Sequence, residues 1–186
     1  PKFSNPISSP RDVKKLTRFD VNSLGYVFQA VEETKKLLPN NLPLIGFCGS
    51  PWTLAAYSIE GGGSKDFNKT KIFMKEHPRE LHEFLEILSN ACFEYLRQQV
   101  LSGVNALQIF DSWADLLSEN ELERFSLQYT QQLTNLLKSD PITSNIPIIL
   151  FEKAPKKKID DLVFENISCM SLYWQENIEI VAKNFK

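Results

Sequence analysis

Four short apolar runs, separated by helix-forming sequence, constrain the fold of this chain more than any other feature. They are LPLIGF (42–47), NALQIF (105–110), IPIILF (146–151) and the weaker CMSLYW (169–174). Each is short and apolar at nearly every position, the pattern of a strand buried on both faces. Between them the spacing turns helical. Residues 78–101 place Leu81, Leu85, Leu88, Cys92, Leu96 and Val100 three or four apart, behind Pro78 and ahead of Ser102-Gly103. Helices are also predicted over 22–38, with Leu24, Val27, Val31, Thr34, Leu37 and Leu38 inward, and over 66–76. Another runs from Ser118 to about Lys138, where Glu121 completes a capping box. Short helices are expected behind Ser9, over 157–164 and over 176–184. Strand and helix thus alternate, which predicts an α/β fold: a parallel sheet with right-handed crossover helices, in one domain over residues 1–186.

Composition excludes several classes. Apolar residues are 42% and charged residues 24%, with a formal net charge of −2. That is a globular balance with no basic field for nucleic acid or an anionic membrane surface. No apolar run approaches the roughly 20 residues of a membrane span. The opening PKFSNPISSPRD lacks the basic-then-apolar pattern of a signal peptide, although the chain starts on Pro1 rather than methionine. Cys48, Cys92 and Cys169 are widely spaced without a CxxC. This argues against a disulfide framework and for a reducing, cytoplasmic setting. His77 and His82 lie five apart, off a common helix face and away from any cysteine at metal spacing, so no metal is expected.

Parallel α/β folds gather their function at the carboxyl ends of the strands. The first run is followed by CGSPWTLAAYSIEGGGSK, the second by DSWADLLS, the third by EKAPKKK and the fourth by QEN. In the first, Tyr57 sits within a small apolar run, and Gly61, Gly62 and Gly63 take three of the seven glycines. The plain reading is a loop or helix cap beside a core aromatic. The sharper reading is a backbone brought against a ligand. The pattern is neither GxGxxG nor a P-loop. In the second, Asp111 can bind backbone N–H groups and Ser112 can cap a turn; a substrate contact is the alternative. No G-x-S-x-G elbow or histidine partner supports serine hydrolysis. The lysines 156–158 are either a solvated face or an anion site.

The block PLIGFCGSPWTLAAYSIEGGGSKDF (43–67), with ALQIFDSWADLL (106–117) and FSLQY (125–129), resembles the uroporphyrinogen decarboxylase family. The resemblance is expected to cover roughly residues 1–150 well and the remainder poorly. It implies a (β/α)₈ barrel, here a partial one of about four strands resembling its third to sixth. It also implies a cytoplasmic homodimer with facing clefts that uses no cofactor. The implied reaction removes the carboxyl groups of the four acetate side chains of uroporphyrinogen III, giving coproporphyrinogen III in haem biosynthesis. By motif position, Phe47 and Phe110 would line the cleft against the macrocycle. Tyr57 would contact the substrate near the reacting acetate, Ser112 would bond a substrate carboxylate, and Gly61, Gly62 and Gly63 would shape the adjoining loop.

Other family blocks are not found in these residues: the arginines of a segment resembling MRQAGRYLP, the aspartate of one resembling FSDIL, and a histidine near the family's carboxyl terminus. Within the resemblance there are departures. EKAPKKK follows the third strand where the family has small residues, Tyr173 stands where an acid is usual, and Asp115 where a glycine is common. The expectation is a family enzyme whose 186 residues alone give no significant turnover. The alternatives are a divergent, non-catalytic binding or structural protein and a corrinoid-linked barrel methyltransferase. The scarcity of histidine and the SWADLL block argue against the last.

Overall fold

Parallel neighbours cannot be joined by a tight hairpin, so every strand must be separated from the next by a crossover long enough to return the chain. The computed structural model describes residues 2–153, 165–175 and 178–179. Pro155, the lysines 156–158 and the helix expected over 157–164 lie outside them, as does the helix expected over 176–184 apart from residues 178 and 179. Strands β1 (Ile45–Gly49), β2 (Ala106–Asp111), β3 (Ile148–Glu152) and β4 (Cys169–Ser171) form one parallel sheet in the order β1-β2-β3-β4. The first three begin slightly after the apolar runs that announce them and continue past their ends.

The helices are α1 (Pro10–Lys14), α2 (Gly25–Leu37), α3 (Pro51–Glu60), α4 (Asn68–Glu76), α5 (Pro78–Leu101), α6 (Glu119–Leu122) and α7 (Gln128–Ser139). The apolar run after β1, unassigned from periodicity, is helix α3. The Ser50 side chain accepts from the Thr53 N–H at 3.0 Å and Pro51 opens the first turn. Gly61 closes it at φ +90°, where its N–H bonds the Tyr57 carbonyl at 2.9 Å. A side chain there would strain the backbone. The helix expected from Ser118 runs without interruption from Glu119 to Ser139, with a π turn within it. Glu121 reaches back to the Ser118 N–H at 2.8 Å, and the π turn, over Glu123–Leu127, joins α6 to α7. The inner face expected for α2 holds only in part: Val31 packs against the sheet core, but Thr34 and Leu37 are exposed and the buried residue is Phe28, packed against Tyr95 of α5.

Side-chain alternation gives the sheet two unlike faces. Cys48, Leu107, Ile109, Ile148 and Leu150 lie under α5 and α7, in one core with Cys92, Leu96, Leu133 and Leu137. The opposite face carries Ile45, Phe47, Gln108, Phe110, Ile149 and Phe151, none of them buried. Phe47 is 61% exposed. In a closed eight-stranded barrel this bare face would be the interior. A second core packs α3, α4 and α5 around Trp52, Phe67, Leu81 and Leu85 near the strand tips.

Candidate functional site

The alternation that sorts the sheet also sorts its carboxyl ends. Asp111 and Glu152, the last residues of β2 and β3, fall on the helix-covered face and are buried. Phe110 and Phe151 before them, and Ser112 and Lys153 after them, belong by parity to the bare face. The ladder continues past the strands, because the Lys153 N–H donates to the Asp111 carbonyl at 3.1 Å.

Asp111 accepts from Thr53 Oγ1 at 2.8 Å and from Ser126 Oγ of the π turn. Burial pushes its carboxyl up, while the hydroxyls of Ser126, Thr53 and Ser50 and the Trp113 N–H pull it back. Thr53 Oγ1 also accepts from the Ser112 N–H at 3.0 Å. Asp111 therefore ties α3, β2 and the π turn together and sets the position of Ser112. Burial keeps it away from a ligand in the cleft; of the backbone N–H donors expected in the plain reading, one is present, from Trp113. The side-chain donors that hold it were missed. Glu152 is different: neither carboxyl oxygen has a hydrogen-bond partner among the described residues. Burial, followed by the nearby Asp111 charge, raises its carboxyl well above the usual glutamate range.

Tyr57 lies on the last turn of α3, half-buried, with its ring edge-on to Trp113 (5.8 Å) and Phe67 (6.1 Å). Phe67 packs on Trp113 at 4.5 Å and adopts φ +48°, a left-handed conformation unusual for an aromatic residue. Such strain costs about 1–3 kcal/mol; full burial of the ring, worth about 1.5–3 kcal/mol, offsets it. The Tyr57 hydroxyl makes no hydrogen bond among the described residues. Phe47 and Phe110 stand edge to face at 6.0 Å, and Phe110 is 6.0 Å from Phe151, so the three rings form a row across the bare face. Gly61 and Gly62 sit apart from that row. Their contacts run to the amino-terminal segment, through the Phe3 N–H to Gly61 carbonyl bond (2.9 Å) and the Lys2–Gly62 bridge. Gly63 is exposed with open space around its Cα.

Lys153 was not singled out from sequence. Its ammonium meets Asp115 Oδ2 at 2.9 Å and lies over the rings of Tyr173 (5.2 Å) and Trp113 (5.8 Å). The pairing joins two of the positions at which the sequence departs from its resemblance, Asp115 and Tyr173. Only strand register brings them to the same lysine. Among the described residues, no cluster of three or more His, Cys, Asp or Glu side chains is placed to hold a metal ion, and no helix is long and apolar enough to cross a membrane.

The family model for uroporphyrinogen decarboxylase (URO-D) matches residues 1–186. Among curated proteins, the chain is similar to the uroporphyrinogen decarboxylase of Hydrogenovibrio crunogenus, 39% identical over 180 residues that are 96% of this chain and 51% of that protein. The same enzyme of Ruthia magnifica is 42% identical over 175 residues, 94% of this chain and 50% of its own. That of Pseudoalteromonas translucida is 40% identical over 179 residues, 96% and 51% respectively. The chain spans about half the length of the curated relatives it matches. These matches correct the expectation of a resemblance confined to a central part, with family segments missing at its ends: the likeness runs from residue 1 to residue 186. The expectation rested on contiguous motifs such as GSPWTLAAY, and beyond residue 150 the departures at 155–158 and Tyr173 interrupt such motifs. From its first residue to its last, the chain belongs to the uroporphyrinogen decarboxylase family.

Proposed function

We propose that this chain forms one wall of a decarboxylase cleft acting on uroporphyrinogen III. Its four acetate side chains would lose their carboxyl groups as CO₂, leaving coproporphyrinogen III for tetrapyrrole and haem biosynthesis. The observation that carries this reading is the uncovered aromatic row Phe47–Phe110–Phe151, continued at the strand tips by the polar side chains of Ser112 and Lys153.

The chemistry accounts for the residue types. A tetrapyrrole is broad and apolar at its centre and acidic at its rim, so it needs an apolar floor and polar groups that place each acid. Phe47 and Phe110 supply the floor. The Ser112 hydroxyl donates to a substrate carboxylate. The Tyr57 hydroxyl contacts the reacting acetate. The electron pair of the breaking C–C bond passes into a protonated pyrrole, whose charge a suitably placed carboxylate would favour. Gly61 and Gly62 hold the end of α3, which carries Tyr57, against the amino-terminal segment, and Gly63 continues the loop beside the site. The family's cytoplasmic homodimer with facing clefts belongs to the same reading.

The test is to incubate the chain, expressed with whatever sequence flanks it in its gene, with uroporphyrinogen III and to quantify coproporphyrinogen. Absence of turnover would sink the reading. The 186 residues alone are expected to give no significant turnover, because four strands leave the cleft open to water. The departures at Asp115 and Tyr173, which meet at Lys153, favour a second reading, a non-catalytic member that binds a porphyrin. It predicts porphyrin binding without loss of CO₂ in the same preparation.

A further inference from the structure

We propose that Lys153 is a carboxylate-binding residue of the cleft, and that Asp115 is its counter-ion until a substrate carboxylate takes its place. The proposal rests on the decarboxylase reading above. Lys153 extends the bare face one residue beyond β3, held there by its N–H bond to the Asp111 carbonyl. The ammonium stands between the Trp113 and Tyr173 rings, 2.9 Å from Asp115 Oδ2. Trp113 in turn carries Tyr57 on its edge, which joins the lysine to the tyrosine through one aromatic residue. The pair is partly accessible, with side chains 24% and 26% exposed.

Two further atoms mark the place as polar and incompletely matched. Trp113 Nε1, a donor, and Asp115 Oδ1, an acceptor, are buried without a partner among the described residues. An ammonium has three donors, and the aromatic faces satisfy none of them by hydrogen bonding. An incoming carboxylate finds a positive charge already partly desolvated and oriented, and needs only to compete with Asp115. The two partners of this one ion pair must therefore affect substrate in opposite directions. Removing the ammonium removes the contact. Removing the Asp115 charge frees the ammonium for substrate.

The experiment is steady-state kinetics with uroporphyrinogen III on the chain expressed with its flanking sequence. Lys153→Met is expected to raise KM about tenfold with kcat nearly unchanged, and Lys153→Arg to stay within about threefold of the unsubstituted protein. Asp115→Asn is expected to lower KM. A purely structural ion pair moves both substitutions the same way. A KM that rises in both Lys153→Met and Asp115→Asn, or one unmoved in Lys153→Met, overturns the proposal. If the unsubstituted protein turns over nothing, the decarboxylase reading fails instead. The Kd for uroporphyrin then tests the lysine separately: opposite shifts in the two variants uphold its role, and parallel or absent shifts overturn it.

Discussion

Asp111 and Glu152 stand opposite each other in the register of β2 and β3, both on the helix-covered side and both buried. Their surroundings differ completely. Asp111 is held by hydroxyl donors from α3 and the π turn, whereas Glu152 has none among the described residues. Two adjacent buried carboxylates cannot both stay charged cheaply, and burial beside Asp111 raises the Glu152 carboxyl well above the usual glutamate range.

Glu152 therefore makes stability depend on pH with a definite sign. Its folded-state value is raised above the ordinary 4.5. Below that value both states are protonated and the residue costs nothing by titration. Above it the unfolded chain releases a proton that the folded chain retains, so folding is penalised increasingly until the raised value is reached. The slope is about 1.4 kcal/mol for each pH unit in that window. Glu152→Gln is expected to become the more stable protein as pH rises above the ordinary glutamate value, the two curves running parallel below it. Urea midpoints measured on both sides of that value check it, and a gap independent of pH would contradict it.

Asp111 is expected to respond in the other direction to loss of its donors. Thr53→Val keeps the side-chain shape but removes the donor to Asp111 and the acceptor for the Ser112 N–H. Ser126→Ala removes the second donor. Each should cost about 1–3 kcal/mol, and the pair should be non-additive because both act on one carboxylate. A double-mutant cycle by denaturant unfolding measures the coupling. Strict additivity would show that the three residues do not act as one network.

The edge strand has its own support. Gln99 of α5 accepts from the Phe47 N–H at 3.0 Å and donates to the Phe47 carbonyl at 3.1 Å, satisfying backbone groups that β2 does not reach. Gly46 permits this approach, since a Cβ there would come within 2.7 Å of Gln99 Oε1. Gln99→Leu should cost about 2 kcal/mol and speed exchange of the Phe47 amide, read by hydrogen exchange. Gly46→Ala should act on the same amide by pushing Gln99 away. An amide protected equally in both variants would show that the clamp is not what holds β1.

These contacts mark where the sequence stops being informative. The four strands were legible because IGFC and LQIF are apolar at nearly every position, a local property, although the structure buries only the helix-covered face and leaves the other bare. Helix α5 was legible because its period and both ends are written in neighbouring residues. Helix α3 was not, since a ten-residue apolar run has no polar face to reveal its period. On α2 the buried Phe28 was missed because its partner Tyr95 lies far along the chain. The site divides in the same way. Tyr57, Ser112 and the phenylalanines stand in contiguous motifs. The Thr53–Asp111 bond spans 58 positions, and Lys153 meets Asp115 only through the register of β2 and β3. No local pattern encodes such pairs.

Tyr57 separates a structural from a chemical role most cleanly. Its ring is packed by Phe67 and Trp113, while its hydroxyl bonds nothing among the described residues. Tyr57→Phe preserves every ring contact and should change stability by less than about 0.5 kcal/mol. If the hydroxyl contacts the reacting acetate, the same substitution lowers kcat at least about tenfold in the chain expressed with its flanking sequence, because one oriented hydrogen bond is lost where charge moves. Ser112→Ala, which removes a ground-state contact to a carboxylate, should instead raise KM more than it lowers kcat. Thermal midpoints and uroporphyrinogen turnover on the same preparations distinguish the outcomes. A Tyr57→Phe protein that loses stability but keeps its kcat would return Tyr57 to the plain reading, a core aromatic at the end of a glycine-capped helix.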